Sequence, residues 1–150
     1  MLLVDDNDDF LDGLTAWIAG DPRLRLAGKA HSGHAALEQV ERLRPDMALI
    51  GASLPDLNGF ETTRRIKSRP DAPQVVLLTF HESNAARLEA WAAGADAMVS
   101  KAEIPEKLLS VVQDLVRRPA EASRSRGSER DKEPTRLSTE KPGPPRDLPK

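Results

Sequence analysis

Short apolar runs alternate along the chain with longer segments of helical periodicity. The runs are apolar at consecutive positions and predict β-strands at residues 2–4, 24–30, 47–50, 75–79 and 97–100. In the segment after each run, apolar residues recur at helical spacing, which predicts helices at residues 8–20, 33–44, 59–69, 84–93 and 104–117. The chain therefore reads as five strand and helix pairs, the pattern of an α/β fold.

The run VVLLT at residues 75–79 is apolar on successive positions, so both faces of its sheet are covered. This favours a doubly wound, five-stranded parallel sheet with helices on both sides. In such sheets ligands bind outside the carboxyl ends of the strands. The residues predicted at those ends form the candidate site, and they are Asp5, Asp6, Gly51, Thr79 and Lys101.

The composition changes near residue 118. From there to residue 150 the chain is rich in proline and in charges of both signs, and its large apolar residues are Leu137 and Leu148. Such a segment buries too little apolar surface to offset the entropy lost on ordering. We therefore predict one folded domain over residues 1–117 and a disordered tail over residues 118–150.

Charge and cysteine content exclude several classes of function. A net charge of -2 provides no basic field for nucleic acid, so direct binding to nucleic acid is not expected. The chain has no cysteine, which excludes disulfide and thiol chemistry. The initial MLLV is too short for a signal peptide, and no later segment resembles a membrane span. We therefore expect a cytoplasmic protein without a membrane partner.

Five aspartate and asparagine residues, DDNDD, follow the first predicted strand. Asn7, Asp8 and Asp9 suit the start of a helix. There a side-chain oxygen can accept a hydrogen bond from a free backbone amide, and negative charge interacts favourably with the positive end of the helix dipole. Asp5 and Asp6 stand at the strand end itself, where two neighbouring carboxylates need a compensating cation. Their hard oxygen ligands suit Mg²⁺.

Together these pieces resemble the receiver domain of response regulators, the CheY-like family. The matching pieces are the acidic pair, PD at residues 45–46, LPDLNGFE at 54–61, the threonine ending the fourth strand, and GADAMVSK at 94–101. The resemblance covers residues 1–117, and residues 78–109 are most similar to receivers of NarL/LuxR-type regulators. It implies a flavodoxin-like three-layer sandwich, strand order 2-1-3-4-5, and phosphorelay (two-component) signalling.

In that family the third strand ends in an aspartate that accepts a phosphoryl group from a histidine kinase. Here the residue is Gly51, which has no nucleophilic atom for the acyl phosphate. The resemblance assigns Asp5, Asp6 and the Ser53 carbonyl to Mg²⁺. Because Gly51 removes one ligand, we expect Mg²⁺ affinity to be weak and no cofactor to be required.

The resemblance assigns Thr79 to a phosphoryl oxygen and Lys101 to the phosphate and the acceptor carboxylate. Without that carboxylate, we expect Lys101 to turn toward Asp5 or Asp6. A second departure is Met98, at a position where the family usually carries tyrosine or phenylalanine. The phosphorylation switch is thus predicted to be dismantled.

These features predict a degenerate receiver that is not an enzyme and acts as a phosphorylation-independent interaction module. Its expected partner is a histidine kinase or another two-component protein, with a second copy of itself as the alternative. The family's usual partner surface contains Arg87, Trp91 and Met98.

Two other functions stay open at the sequence level. The first is an active phosphoacceptor that uses Asp56 or Ser53 as a substitute residue. The second is a flavodoxin-type cofactor binder, which the negative charge of Asp5 and Asp6 disfavours because it would repel a flavin phosphate.

Overall fold

Five parallel strands form the central sheet, in the order β2-β1-β3-β4-β5. The structure, a computed structural model, describes residues 1–117. Its strands are β1 Leu2–Val4, β2 Gly28–Ala30, β3 Met47–Gly51, β4 Gln74–Thr79 and β5 Ala97–Ser100. The predicted doubly wound α/β fold and its strand order are confirmed.

A helix follows each strand. The helices are α1 Asp8–Ala19, α2 Gly33–Leu43, α3 Gly59–Lys67, α4 Asn84–Ala93 and α5 Leu109–Val116. A 3₁₀ turn at Lys101–Glu103 and a π-helical turn at Ile104–Leu108 precede α5. Because parallel crossovers are right-handed, this strand order puts α1 on one face of the sheet and α2, α3 and α4 on the other.

The first four helices begin at a polar side chain that accepts a hydrogen bond from an amide of the first turn. These N-cap residues are Asn7, Ser32, Asn58 and Ser83. Each satisfies one of the amides that a helix start leaves without a partner. The caps therefore determine the residue at which each of these four helices begins, after a loop at the carboxyl edge of the sheet.

Apolar side chains of the strands fill both faces of the sheet. The core on the side of α2 and α3 includes Val4, Ile50, Leu77, Val40 and Ile66, all buried. Burial of such side chains contributes about 1.5–3 kcal/mol each to the stability of the fold. The sheet is therefore a rigid support for the loops at its edge.

The prediction of a strand over residues 24–30 was wrong in its first half, because β2 begins at Gly28. Before it, the Asp21 carboxylate pairs with Arg23 at 2.8 Å, and the Leu24 amide donates to the Asp21 carbonyl. These contacts make a turn where the sequence alone resembled a strand. The other predicted boundaries differ from the observed ones by a few residues at most, and the largest shift is the later start of α5.

Two units divide the chain, with the boundary between Val111 and Val112. The first contains the complete sheet and helices α1 to α4. In the second, the described residues are 112–117, which include the last residues of α5. The predicted tail at residues 118–150 lies outside the described residues, and the boundary at residue 117 stays a prediction.

Candidate functional site

The register of the sheet brings the predicted site residues to one edge. Val4 pairs with Ile50 in the neighbouring strand, Gly51 pairs with Leu78, and Thr79 pairs with Ser100. Asp5 follows Val4 and Lys101 follows Ser100, so both continue from adjacent strand ends. β1 and β3 also flank the point where the chain reverses its winding direction, the usual ligand position of this architecture.

The Asp5 carboxylate is the buried charge of the site. Asp5 as a whole is 1% exposed to solvent. One oxygen, Oδ1, accepts from the Asn7 amide at 2.9 Å, and the other, Oδ2, accepts from Lys101 Nζ at 2.7 Å. The expected turn of Lys101 toward the acidic pair is therefore present, and Asp5 is the partner.

The two aspartates have different environments. Asp5 is buried, whereas Asp6 is exposed. Among residues 1–117, no group of three or more His, Cys, Asp or Glu side chains is placed to hold a metal ion. With Oδ2 of Asp5 bound to an ammonium, the side chains as they stand do not fit the oxygen-rich octahedral shell of Mg²⁺.

The absence of a side chain at Gly51 leaves space for the Asp5 carboxylate. An ideal Cβ built on Gly51 would meet Asp5 Oδ2 closer than real Cβ contacts allow, and would lie 3.2 Å from Asp5 Cγ. The Asp5 carboxylate therefore occupies space next to the β3 backbone that a side chain at residue 51 would need. A side chain at residue 51 would therefore displace the carboxylate oxygen that accepts from Lys101.

Thr79 ends β4 and is buried. Its Oγ1 accepts a hydrogen bond from the His81 amide at 3.0 Å, which fixes the first turn of the β4–α4 loop. The hydroxyl hydrogen remains available as a donor. Thr79 therefore lies at the carboxyl edge of the sheet, as the sequence predicts.

Two aromatic rings complete the surroundings of Lys101. Its Nζ lies 4.2 Å from the centroid of the Phe10 ring and 5.2 Å from that of Phe80. Both distances are within the range of cation–π attraction. Sequence reasoning missed these residues, although a phenylalanine directly after the strand-end Thr79 was a signal that an aromatic ring borders the site.

The β3–α3 loop carries the two proposed substitute acceptors. Ser53 is exposed. The Asp56 carboxylate accepts from the Gly33 amide at 2.7 Å and from the His34 amide at 2.9 Å, both at the start of α2. The His34 and Gly33 amides hold the pKa of Asp56 at about 2, below its usual 3.8. Asp56 thus serves as an anchor of the loop on α2.

The proposed partner surface is only partly exposed. Arg87 and Glu82 form an ion pair at 3.0 Å, and Trp91 and Met98 are half-buried. The indole Nε1 of Trp91 is buried and has no hydrogen-bond partner among the described residues. The exposed large apolar side chain on α4 is Leu88, which the sequence did not single out.

Comparison with known proteins identifies the protein family of this chain. Residues 1–113 match the response regulator receiver domain family. The chain therefore belongs to that family and is a receiver domain of two-component signalling. The receiver domain of the NarL response regulator from Mycobacterium tuberculosis superposes with a TM-score of 0.71 at 25% identity, over 75% of this chain and 91% of that one.

Two curated relatives carry similar segments. One is protein-glutamate methylesterase/protein-glutamine glutaminase 1 of Syntrophus aciditrophicus, 34% identical over 78% of this chain and 34% of the relative. The other is the DNA-binding transcriptional activator DevR/DosR of Mycobacterium tuberculosis, 36% identical over 77% of this chain and 53% of the relative. The chain thus spans about a third to half of these relatives.

The sequence predicts no membrane-spanning segment, and the structure can be searched for one. Within residues 1–117, no helix has both the length and the apolar character needed to cross a bilayer.

Proposed function

We propose that this chain is a degenerate receiver domain that acts by protein interaction without being phosphorylated. The observation that carries the proposal is the ion pair between Asp5 and Lys101 beside Gly51. An acyl phosphate needs a carboxylate that can attack phosphorus, and residue 51 has none. The Asp5 carboxylate, which lies closest to that position, is buried and paired.

The same geometry argues against the substitute acceptors. Asp56 would have to leave two amides of α2 to reach the site. Ser53 is exposed in the loop, whereas only 11% of the Lys101 side chain is exposed. We therefore assign the chain a regulatory role without catalysis and without a required metal ion.

Receiver domains bind histidine kinases and other proteins, and we infer a partner of this kind. A fixed Asp5–Lys101 pair keeps the carboxyl edge in one arrangement, so partner binding would not depend on a phosphoryl group. A second copy of the chain is the alternative partner. The net charge of -2 supports a protein partner over direct contact with nucleic acid.

The test is incubation with acetyl phosphate and Mg²⁺, followed by acid quenching and intact mass measurement. The wild-type chain is expected to keep its mass. A matched Gly51→Asp variant, treated identically, shows whether the conditions allow phosphorylation at the family's position. A phosphate on the wild-type chain would overturn the proposal, and peptide mapping would then decide between Asp5, Ser53 and Asp56.

A further inference from the structure

We propose that Asp5, Phe10 and Phe80 form an ammonium cage whose occupant is the side chain of Lys101. In this cage the lysine supplies the counter-charge that Asp5 would otherwise obtain from a divalent cation. This proposal rests on the proposed function, because it describes what holds Lys101 on Asp5 in a site that is not phosphorylated. The cage is a positioning device: it holds Lys101 and reacts with nothing.

Three groups lie next to Nζ. The Asp5 carboxylate lies 2.7 Å away, and the ring centroids of Phe10 and Phe80 lie 4.2 Å and 5.2 Å away. The Lys101 side chain is only 11% exposed. A single anion and two aromatic rings thus border a lysine side chain that is largely withdrawn from water.

The chemistry of the cage selects an ammonium. Ring faces carry negative potential and attract a cation without donating lone pairs. Mg²⁺ requires about six oxygen ligands in an octahedron, which one carboxylate and two hydrocarbon rings do not supply. An ammonium is a compact charge with three donors, and its hydrogens can point at the carboxylate while its remaining surface meets the rings.

The cage also accounts for the position of Phe80, which is 65% exposed although it is a large apolar residue. Its distance to Nζ gives it a partner, since cation–π attraction is retained at partly exposed positions. The Phe80 ring is therefore assigned to the cage.

Chemical rescue tests the cage. Lys101→Ala removes the three methylenes and the ammonium beyond Cβ, which n-propylammonium reproduces. The variant is expected to melt several degrees below the wild type. Added n-propylammonium chloride should raise its melting temperature with saturation, because a ligand that binds only the folded state stabilises it. Equal concentrations of sodium chloride or 1-propanol should not do so.

A matched control comes from another lysine pair. Lys107 pairs with Glu103 at 3.1 Å on an exposed surface, with 60% of its side chain accessible. Lys107→Ala should show no rescue by n-propylammonium. In the Lys101→Ala background, Phe10→Leu or Phe80→Leu should weaken the apparent affinity for n-propylammonium roughly two- to fivefold, the value of one cation–π contact.

Three outcomes overturn the cage. They are rescue of Lys101→Ala by MgCl₂ equal to that by n-propylammonium, no rescue by n-propylammonium, or unchanged rescue after both rings are replaced. If Lys101→Ala does not fold, nitrogen NMR of the wild-type ammonium decides. Its hydrogens should be slow to exchange and shifted by the rings, and Phe80→Leu should remove part of the shift; a signal insensitive to Phe80→Leu overturns the cage.

These readouts need no phosphate donor. A chain that fails the rescue test but keeps its mass with acetyl phosphate contradicts the cage alone. A chain that shows rescue but gains phosphate contradicts the proposed function alone.

Discussion

The Asp5 carboxylate has two donors, the Asn7 amide and the Lys101 ammonium. Removing either partner of a buried ion pair leaves an uncompensated charge and typically costs about 3–5 kcal/mol. A third carboxylate placed beside Asp5 would instead compete for the same lysine. The identity of residue 51 therefore decides which charges the site can hold.

Gly51→Asp is expected to lower the free energy of unfolding in EDTA by about 1–3 kcal/mol, because the new Cβ meets Asp5 Oδ2. The added carboxylate should also tighten Mg²⁺ binding relative to the wild type, since it adds a hard oxygen ligand. Urea unfolding in EDTA and calorimetric titration with Mg²⁺ measure the two effects.

Gly51→Ala is the matched control for this variant. It introduces the same Cβ without the carboxylate, so it should lose stability in EDTA without gaining Mg²⁺ affinity. Equal Mg²⁺ affinities for the aspartate variant and the wild type would contradict the idea that a missing ligand at residue 51 weakens the metal site.

At the scale of elements, the β3–α3 loop is fixed at its base and at its middle. The Ala52 amide donates to the Leu78 carbonyl at 2.9 Å, and the Gly59 amide donates to the Ala52 carbonyl at 2.8 Å. Asp56 then ties the loop to the start of α2. The loop next to the site therefore moves only if contacts with β4 or α2 are broken.

Protonation of Asp56 should loosen this connection in acid. Its pKa in the folded chain is about 2, below the usual 3.8, so its contribution to stability is present above about pH 4 and is lost as the pH falls toward 2. Urea unfolding of the wild type and of Asp56→Ala across this range should give a stability difference that shrinks with acidity. A constant difference would contradict the role of the two amides.

Two glycines at different helix positions should respond oppositely to alanine. A Cβ at Gly59 would press on backbone atoms of Gly51 and Ala52, so Gly59→Ala should destabilise by about 1–3 kcal/mol. A Cβ at Gly13, within α1, meets nothing within 4 Å, so Gly13→Ala should stabilise by about 0.4–1 kcal/mol. Thermal unfolding compares the two; losses of equal size would contradict the packing difference.

At the scale of the whole molecule, α4 combines a structural and an exposed apolar residue. Trp91→Ala should lower the free energy of unfolding by on the order of 2 kcal/mol, less than the ~3–5 kcal/mol of a fully buried tryptophan. Leu88→Ala should change it by less than about 0.5 kcal/mol, because Leu88 is 52% exposed. Urea unfolding measures both, and equal losses would show that Leu88 is part of the fold.

The apolar runs and helical periods are sufficient to predict an α/β fold with a covered parallel sheet. Strands such as VVLLT are apolar on both sides, and few architectures other than a covered parallel sheet bury both faces. The strand ends then brought Asp5, Gly51, Thr79 and Lys101 to one edge, as predicted. Strand order came from the family resemblance, since periodicity carries no information about neighbours.

The details missed from the sequence depend on side-chain directions in loops. The sequence makes Asp56 a candidate phosphate acceptor, but its carboxylate turns to the α2 amides, which only the packed loop brings within reach. The approach of Phe10 and Phe80 to Lys101 joins residues from three distant segments. Local sequence patterns do not encode such contacts.

The buried indole nitrogen of Trp91 also has a practical consequence for spectroscopy. The chain contains two tryptophans and no tyrosine, and the other tryptophan, Trp17, is on α1. A Trp17→Phe variant would leave Trp91 as the sole indole emitter, so its emission wavelength would report the local polarity beside α4. Optical titrations could then follow a partner docking on that helix without any attached dye.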